Sequence, residues 1–102
     1  MTRSTLRRKT TVTDSQDFER RKAALEQQLL PHLRRQPGFV SWEMTPGDRP
    51  GEMVEVTVWQ TPDDCRRYLR EGGAAMSSTI LDAVFPTAPY PDGTWVRETI
   101  EV

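Results

Sequence analysis

An α+β fold built around one four-stranded sheet is predicted by three observations. The first is residues 52–60, EMVEVTVWQ, where Val54, Val56 and Val58 alternate with Met53, Glu55, Thr57 and Trp59 in the period of a β-strand. The second is the recurrence of Phe18, Leu25, Leu29 and Leu33 near helical spacing, after the capping residues Thr13, Asp14 and Ser15. The third is the order of such segments along the chain: strand, helix, strand, strand, helix with a helical extension, strand. With 102 residues there is material for one domain, residues 1–102, with one core and no separate cofactor domain.

The first strand is expected over residues 5–13, with Leu6, Arg8, Thr10 and Val12 on one side. In the helix that follows, Glu19, Arg20, Arg21, Lys22 and Glu26 make the wet face, and Pro31 is expected to kink the helix or restart it as a short final turn. It must stop before Pro37-Gly38. Residues 39–45 read as the second strand, and the turn PGDRPG joins it to residues 52–60 as a hairpin. Thr61-Pro62-Asp63-Asp64 then supplies a cap, a proline for the first helical position and acids for the positive helix end. That helix runs through Tyr68 to about Glu71, Gly72-Gly73 ends it, and residues 74–85 form another with Met76, Ile80, Leu81 and Val84 as its apolar side. Residues 86–93, PTAPYPDG, are irregular, and residues 94–102 alternate as a last strand.

This order is the ferredoxin-like split βαβ arrangement with a four-stranded antiparallel sheet. From right-handed crossovers, the first and third strands are expected side by side and parallel to one another at its centre. Helices cover one face of such a sheet, and a short chain has nothing left for the other. A homodimer packed sheet to sheet is therefore expected.

Composition limits the chemistry. Fourteen Lys and Arg against 15 Asp and Glu leave no electrostatic footprint for nucleic acid or an anionic membrane. No apolar run is long enough to span a bilayer, and MTRSTLRRKTT lacks the apolar core of a signal peptide, which makes the cytoplasm the expected location. One cysteine, Cys65, excludes an internal disulfide, and with His32 as the sole histidine no zinc or iron ligand set is expected. Interest falls on the polar row of residues 52–60: a core strand gains nothing from an acid, so Glu55 needs a partner, solvent or a chemical role.

LRRQPGFVSWEM (residues 33–44) and VEVTVWQTPDDCRRYL (residues 54–69) carry a resemblance. The chain is similar to the antibiotic biosynthesis monooxygenase family of dimeric α+β barrels, and within it to the cofactor-independent anthrone oxygenases of aromatic polyketide pathways. The resemblance implies a homodimer, a small polycyclic phenolic substrate, dioxygen as co-substrate and no cofactor. It places Trp59 at the family's pocket tryptophan; a plain core role for that residue is equally open. Where the family has an asparagine four residues earlier, this chain has Glu55, and a second family asparagine, on the first strand, aligns loosely with Arg8. If both face one side, Arg8 can donate to a developing oxyanion and Glu55 can accept a proton. The alternative is a mutually satisfied ion pair that serves structure alone.

Glu55, Arg8 and Trp59 are thus the catalytic candidates, and Trp42, Tyr68, Thr57 and Met53 the substrate contacts. Trp42, Trp95 and Tyr90 can stack on a flat ligand or serve the dimer or a loop. His32 can titrate near neutrality, with a structural role the stronger reading, and its place on the first helix disfavours haem chemistry. Cys65 has no histidine near it in sequence and is not proposed as a nucleophile. A polyketide cyclase or isomerase using proton transfer alone and a non-enzymatic binder of a small aromatic molecule are the rival functions.

Overall fold

The alternation of residues 52–60 becomes a strand whose polar row is the buried one. In the computed structural model, which describes residues 1–88 in full and the backbone of residues 95–101, this strand is β3 (Glu52–Trp59). Met53, Glu55, Thr57 and Trp59 turn toward the helices and are buried, while Val54, Val56 and Val58 lie half-exposed on the other face. Helices α1 (Ser15–Arg34), α2 (Pro62–Arg70) and α3 (Gly73–Val84) cover that polar row, and β1 (Thr2–Lys9), β2 (Phe39–Pro46) and β4 (Trp95–Glu101) complete the sheet. The strand order is β2-β3-β1-β4.

Every neighbouring pair is antiparallel, including β1 with β3. This corrects the expected parallel pairing of the first and third strands. A crossover relates β1 to β2, and the hairpin then returns β3 into the gap between them, antiparallel to both. The register sets Thr2 opposite Trp59, Ser4 opposite Thr57, Leu6 opposite Glu55 and Arg8 opposite Met53. Thr2, Ser4, Leu6 and Arg8 accordingly share the buried face with the polar row of β3. β1 occupies residues 2–9 rather than 5–13. Beyond Lys9 the chain turns, with the Thr10 amide donating to the Gly51 carbonyl at 2.7 Å and the Thr10 hydroxyl to the Pro86 carbonyl at 2.6 Å. Thr10 and Val12 are nonetheless buried.

Asp14 is the cap of α1, its carboxylate accepting from the Asp17 amide at 2.8 Å, and Phe18, Leu25, Leu29 and Leu33 form the buried stripe. α1 runs unbroken through Pro31. The bond that proline forfeits would have gone to the carbonyl of Gln27, and both residues lie on the exposed side, where water can serve that carbonyl. The second crossover follows its sequence signals closely. Thr61 caps α2 by accepting from the Asp64 amide at 3.1 Å, with Pro62 in the first turn. Gly72, at φ 89°, separates α2 from α3.

Met76 is 52% exposed, contrary to its expected place on the apolar side of α3. The buried positions are Gly73, Ser77 and Leu81, spaced by four, with Ile80 and Val84 partly buried beside them. Met76, about 100° around the helix from Ser77, points away. Small residues win the inner stripe because Tyr68 of α2 packs there: a Cβ on Gly73 would lie 2.6 Å from the Tyr68 ring. The core continues through Phe18 against Phe85, ring centres 5.3 Å apart, and includes Met44 of β2 and Met53 of β3.

Candidate functional site

The polar row of β3 meets the helices around Glu55. Its side chain is 8% exposed, and its Oε2 accepts a hydrogen bond of 3.0 Å from the indole N–H of Trp42. Trp42 lies opposite Thr57 in the register while Met44 lies opposite Glu55, so the indole reaches diagonally along the pleat to the carboxylate. Facing Glu55 from the helices are Tyr68 of α2 and Ala74, Ser77, Ser78 and Leu81 of α3; with Leu6 of β1 they line a crevice of about 190 Å³ of atom-free space, none of it wide enough for a water-sized sphere. The Tyr68 hydroxyl donates to Ser77 Oγ, which in turn donates to the Gly73 carbonyl at 3.1 Å. One acid and a pair of ordered hydroxyls therefore converge between sheet and helices.

Trp59 forms the wall behind that hydroxyl pair. It is fully buried, its indole N–H donates to Thr57 Oγ1 at 2.9 Å, and its ring lies 4.6 Å from Tyr68 and 5.7 Å from Phe39. Thr57 thus satisfies the tryptophan, and Met53 is a core residue on the same face, one step beyond Glu55. Neither of them, nor Trp59, lines the crevice, whereas Glu55 and Tyr68 do.

Arg8 shares the buried face with Glu55 but its guanidinium is directed elsewhere. It is 2% exposed, and Nη2 pairs with the Asp82 carboxylate of α3 and donates to the Phe85 carbonyl at 3.3 Å. Burial pulls the Arg8 pKa below its ordinary value, opposed by the bond and charge of Asp82 and by the charge of Glu55. Glu55 acts on Arg8 through its charge, the smallest of these influences, and the bond to Asp82 joins β1 to α3. The other single-residue candidates resolve simply. His32 Nε2 sits 2.8 Å from the Gly73 carbonyl and joins α1 to the start of α3, and Cys65 is buried in the core. Tyr90 and the Trp95 side chain lie outside the described residues. Among the described residues no group of three or more His, Cys, Asp or Glu is arranged to hold a metal ion, and no helix is long and apolar enough to cross a membrane.

Asp82, Ser77 and the Trp42 to Glu55 bond were not anticipated. Ser77 left a trace in the sequence, as a polar residue midway between Gly73 and Leu81 on one helical stripe. Asp82 left none, because its partner lies 74 residues away.

This architecture is the antibiotic biosynthesis monooxygenase fold, an antiparallel ferredoxin-like sheet backed by helices. Among solved structures, SnoaB, a cofactor-independent oxygenase from Streptomyces nogalater, is similar over 99% of this chain and 92% of its own, with 22% identity and a TM-score of 0.61. A candidate antibiotic biosynthesis monooxygenase from Bordetella bronchiseptica aligns over 99% of this chain and 95% of its own, with 14% identity and a TM-score of 0.69. A conserved protein from Methanosarcina mazei aligns over 98% and 90%, with 8% identity and a TM-score of 0.61. No family model and no curated protein sequence matches the chain. At these identities the likeness speaks for the fold.

Proposed function

We propose that this chain is a cofactor-independent monooxygenase that tailors an aromatic polyketide in the cytoplasm, oxidising a polycyclic phenol or anthrone to a quinone. The observation that carries the proposal is the buried Glu55 carboxylate, oriented by Trp42 and facing the Tyr68–Ser77 hydroxyls, in a chain with the fold of SnoaB. Glu55 takes a proton from the acidic methylene or phenol, and the resulting carbanion reduces dioxygen to a carbon-bound peroxide. Glu55 returns the proton to that peroxide. Loss of the second methylene proton with departure of the distal oxygen as water leaves the carbonyl, so one oxygen atom enters the substrate and the other leaves as water. Burial of the site favours this chemistry by keeping bulk water from the carbanion. Since the crevice is closed in the free chain, binding must displace Tyr68 or α3, and Trp59 and Thr57 then become the floor beneath the ligand.

Arg8, as the nearby buried cation, stabilises negative charge on the Glu55 side of the sheet from its bond with Asp82. The half-exposed valines of β3 supply the surface for a homodimer joined sheet to sheet. A cyclase or isomerase is the second reading, supported by the same carboxylate, since it requires the proton transfer without dioxygen. Incubation with emodinanthrone separates these functions. Dioxygen consumption and quinone formation above a protein-free control support the oxygenase, isomerisation without dioxygen uptake supports the second reading, and saturable binding with neither leaves a binding protein.

A further inference from the structure

Trp42 was expected as a stacking surface for the substrate, yet its polar atom is engaged with Glu55 at 3.0 Å. An indole nitrogen can only donate, so this bond favours the ionised carboxylate over the acid. It also works against burial, which at 8% exposure disfavours charge on Glu55. We propose that Trp42 is the positioning residue of this site, fixing the carboxylate of Glu55 and holding it ionised as a base. This inference rests on the base role proposed for Glu55, and it assigns to β2 a part in the chemistry that stacking would not require.

The other groups around Glu55 bear on the same equilibrium. From β1 comes the charge of Arg8, itself bonded to Asp82 of α3; from α2 the Tyr68 phenol; from α3 the hydroxyls of Ser77 and Ser78. On β4, Arg97 occupies the register position opposite Leu6, in the row that contains Glu55. Arg8 favours the ionised form through its charge, and among the described residues Trp42 does so by a directed hydrogen bond to a carboxylate oxygen. Its removal should therefore move the Glu55 titration upward with the rest of the surroundings intact.

The test is Trp42→Phe, which keeps an aromatic ring on the half-buried edge and deletes the donor. Carbon-13 NMR of the labelled Glu55 carboxyl reads the titration directly, and the acid limb of the kcat/KM profile for emodinanthrone reads it through turnover. Both should move up by about one pH unit, from the loss of one hydrogen bond to a charged acceptor. On the alkaline side of that limb kcat should stay below the parent value, because the carboxylate is ionised there but no longer fixed. An unmoved NMR titration overturns the proposal, as does a raised KM with an unmoved limb, the signature of a stacking contact. If the parent protein shows no turnover but the titration moves, the role of Trp42 on Glu55 stands and the oxygenase reading falls.

Discussion

Replacing Glu55 by Gln isolates the chemistry of one proton. The amide has the shape of the carboxylate, and its oxygen can keep the 3.0 Å bond from Trp42. What disappears is the capacity to accept a proton, and a positioned general base typically accelerates a reaction by about 10²- to 10⁴-fold. The barrier should rise by about 2.7–5.4 kcal/mol. Stability should change far less. Glu55→Gln removes a charge that favours ionised Arg8, and it also removes the burial cost of a carboxylate that is 8% exposed. These effects oppose one another, so thermal melting should shift by no more than the 4–8 °C that about 1 kcal/mol produces in a domain of this size. Initial rates of quinone formation from emodinanthrone under oxygen, corrected for the protein-free reaction, measure the effect. A variant within threefold of the parent rate would refute Glu55 as the base.

Four further outcomes follow from the packing. Pro31→Ala should stabilise the fold by about 1–3 kcal/mol in urea unfolding, because it restores an amide donor and relieves a helix-interior proline on an exposed face. Gly38→Ala should destabilise by about 1–3 kcal/mol on the same assay, since Gly38 has φ 79° and an added Cβ would lie 2.1 Å from the Asp64 carboxylate. Asp17 is held below its ordinary pKa chiefly by its bond to Arg20, then by Arg21, against some desolvation. A depressed acid contributes stability above its unfolded pKa and loses it as pH falls through the folded one, so Asp17→Asn should be less stable than the parent at pH 7 and match it in strong acid, once Asp17 of the parent is protonated in the folded as well as the unfolded state. Val56→Lys should abolish the proposed homodimer and give a monomer in sedimentation at micromolar concentration; a parent that itself sediments as a monomer removes the sheet-to-sheet assembly.

The helix-period and strand-period signals carried the fold, and the failures lie where one residue answers to a distant partner. Asp14, Thr61, Pro62 and Gly72 act as their local chemistry dictates, since a cap or a left-handed glycine is decided within four residues. The direction of β3 against β1 could not be read from any strand by itself, because it follows from how the crossover and the hairpin combine. Met76 misled for a related reason: hydrophobicity put it in the core, but the inner stripe of α3 runs through Gly73, Ser77 and Leu81, starting where Tyr68 comes close to Gly73. At the site, Glu55 was conspicuous as an acid within an alternating strand. Its donor was not, because Trp42 lies on another strand and the diagonal reach depends on the register after the irregularity between Phe39 and Ser41. The bond between Arg8 and Asp82 was equally hidden, set by where α3 comes to rest on β1.

The polarity of β3 ties these features together. A sheet with one covered face ordinarily hides its valines and exposes its polar row. Here Met53, Glu55, Thr57 and Trp59 lie beneath the helices, while Val54, Val56 and Val58 face outward. For the isolated chain that arrangement is unfavourable twice over: the inner face must satisfy a carboxylate, a hydroxyl and an indole, and the outer one leaves β-branched surface near water. The inner cost is met residue by residue, Trp42 serving Glu55 and Thr57 serving Trp59. Among the described residues no helix covers the outer row, because α1, α2 and α3 all lie on the opposite face. A strand patterned in this way suits the proposed sheet-to-sheet homodimer on its valine face and the proposed base on its polar one, where it contributes something that an apolar core would not. The proposed dimer surface and the buried acid are thus the two faces of the same alternation.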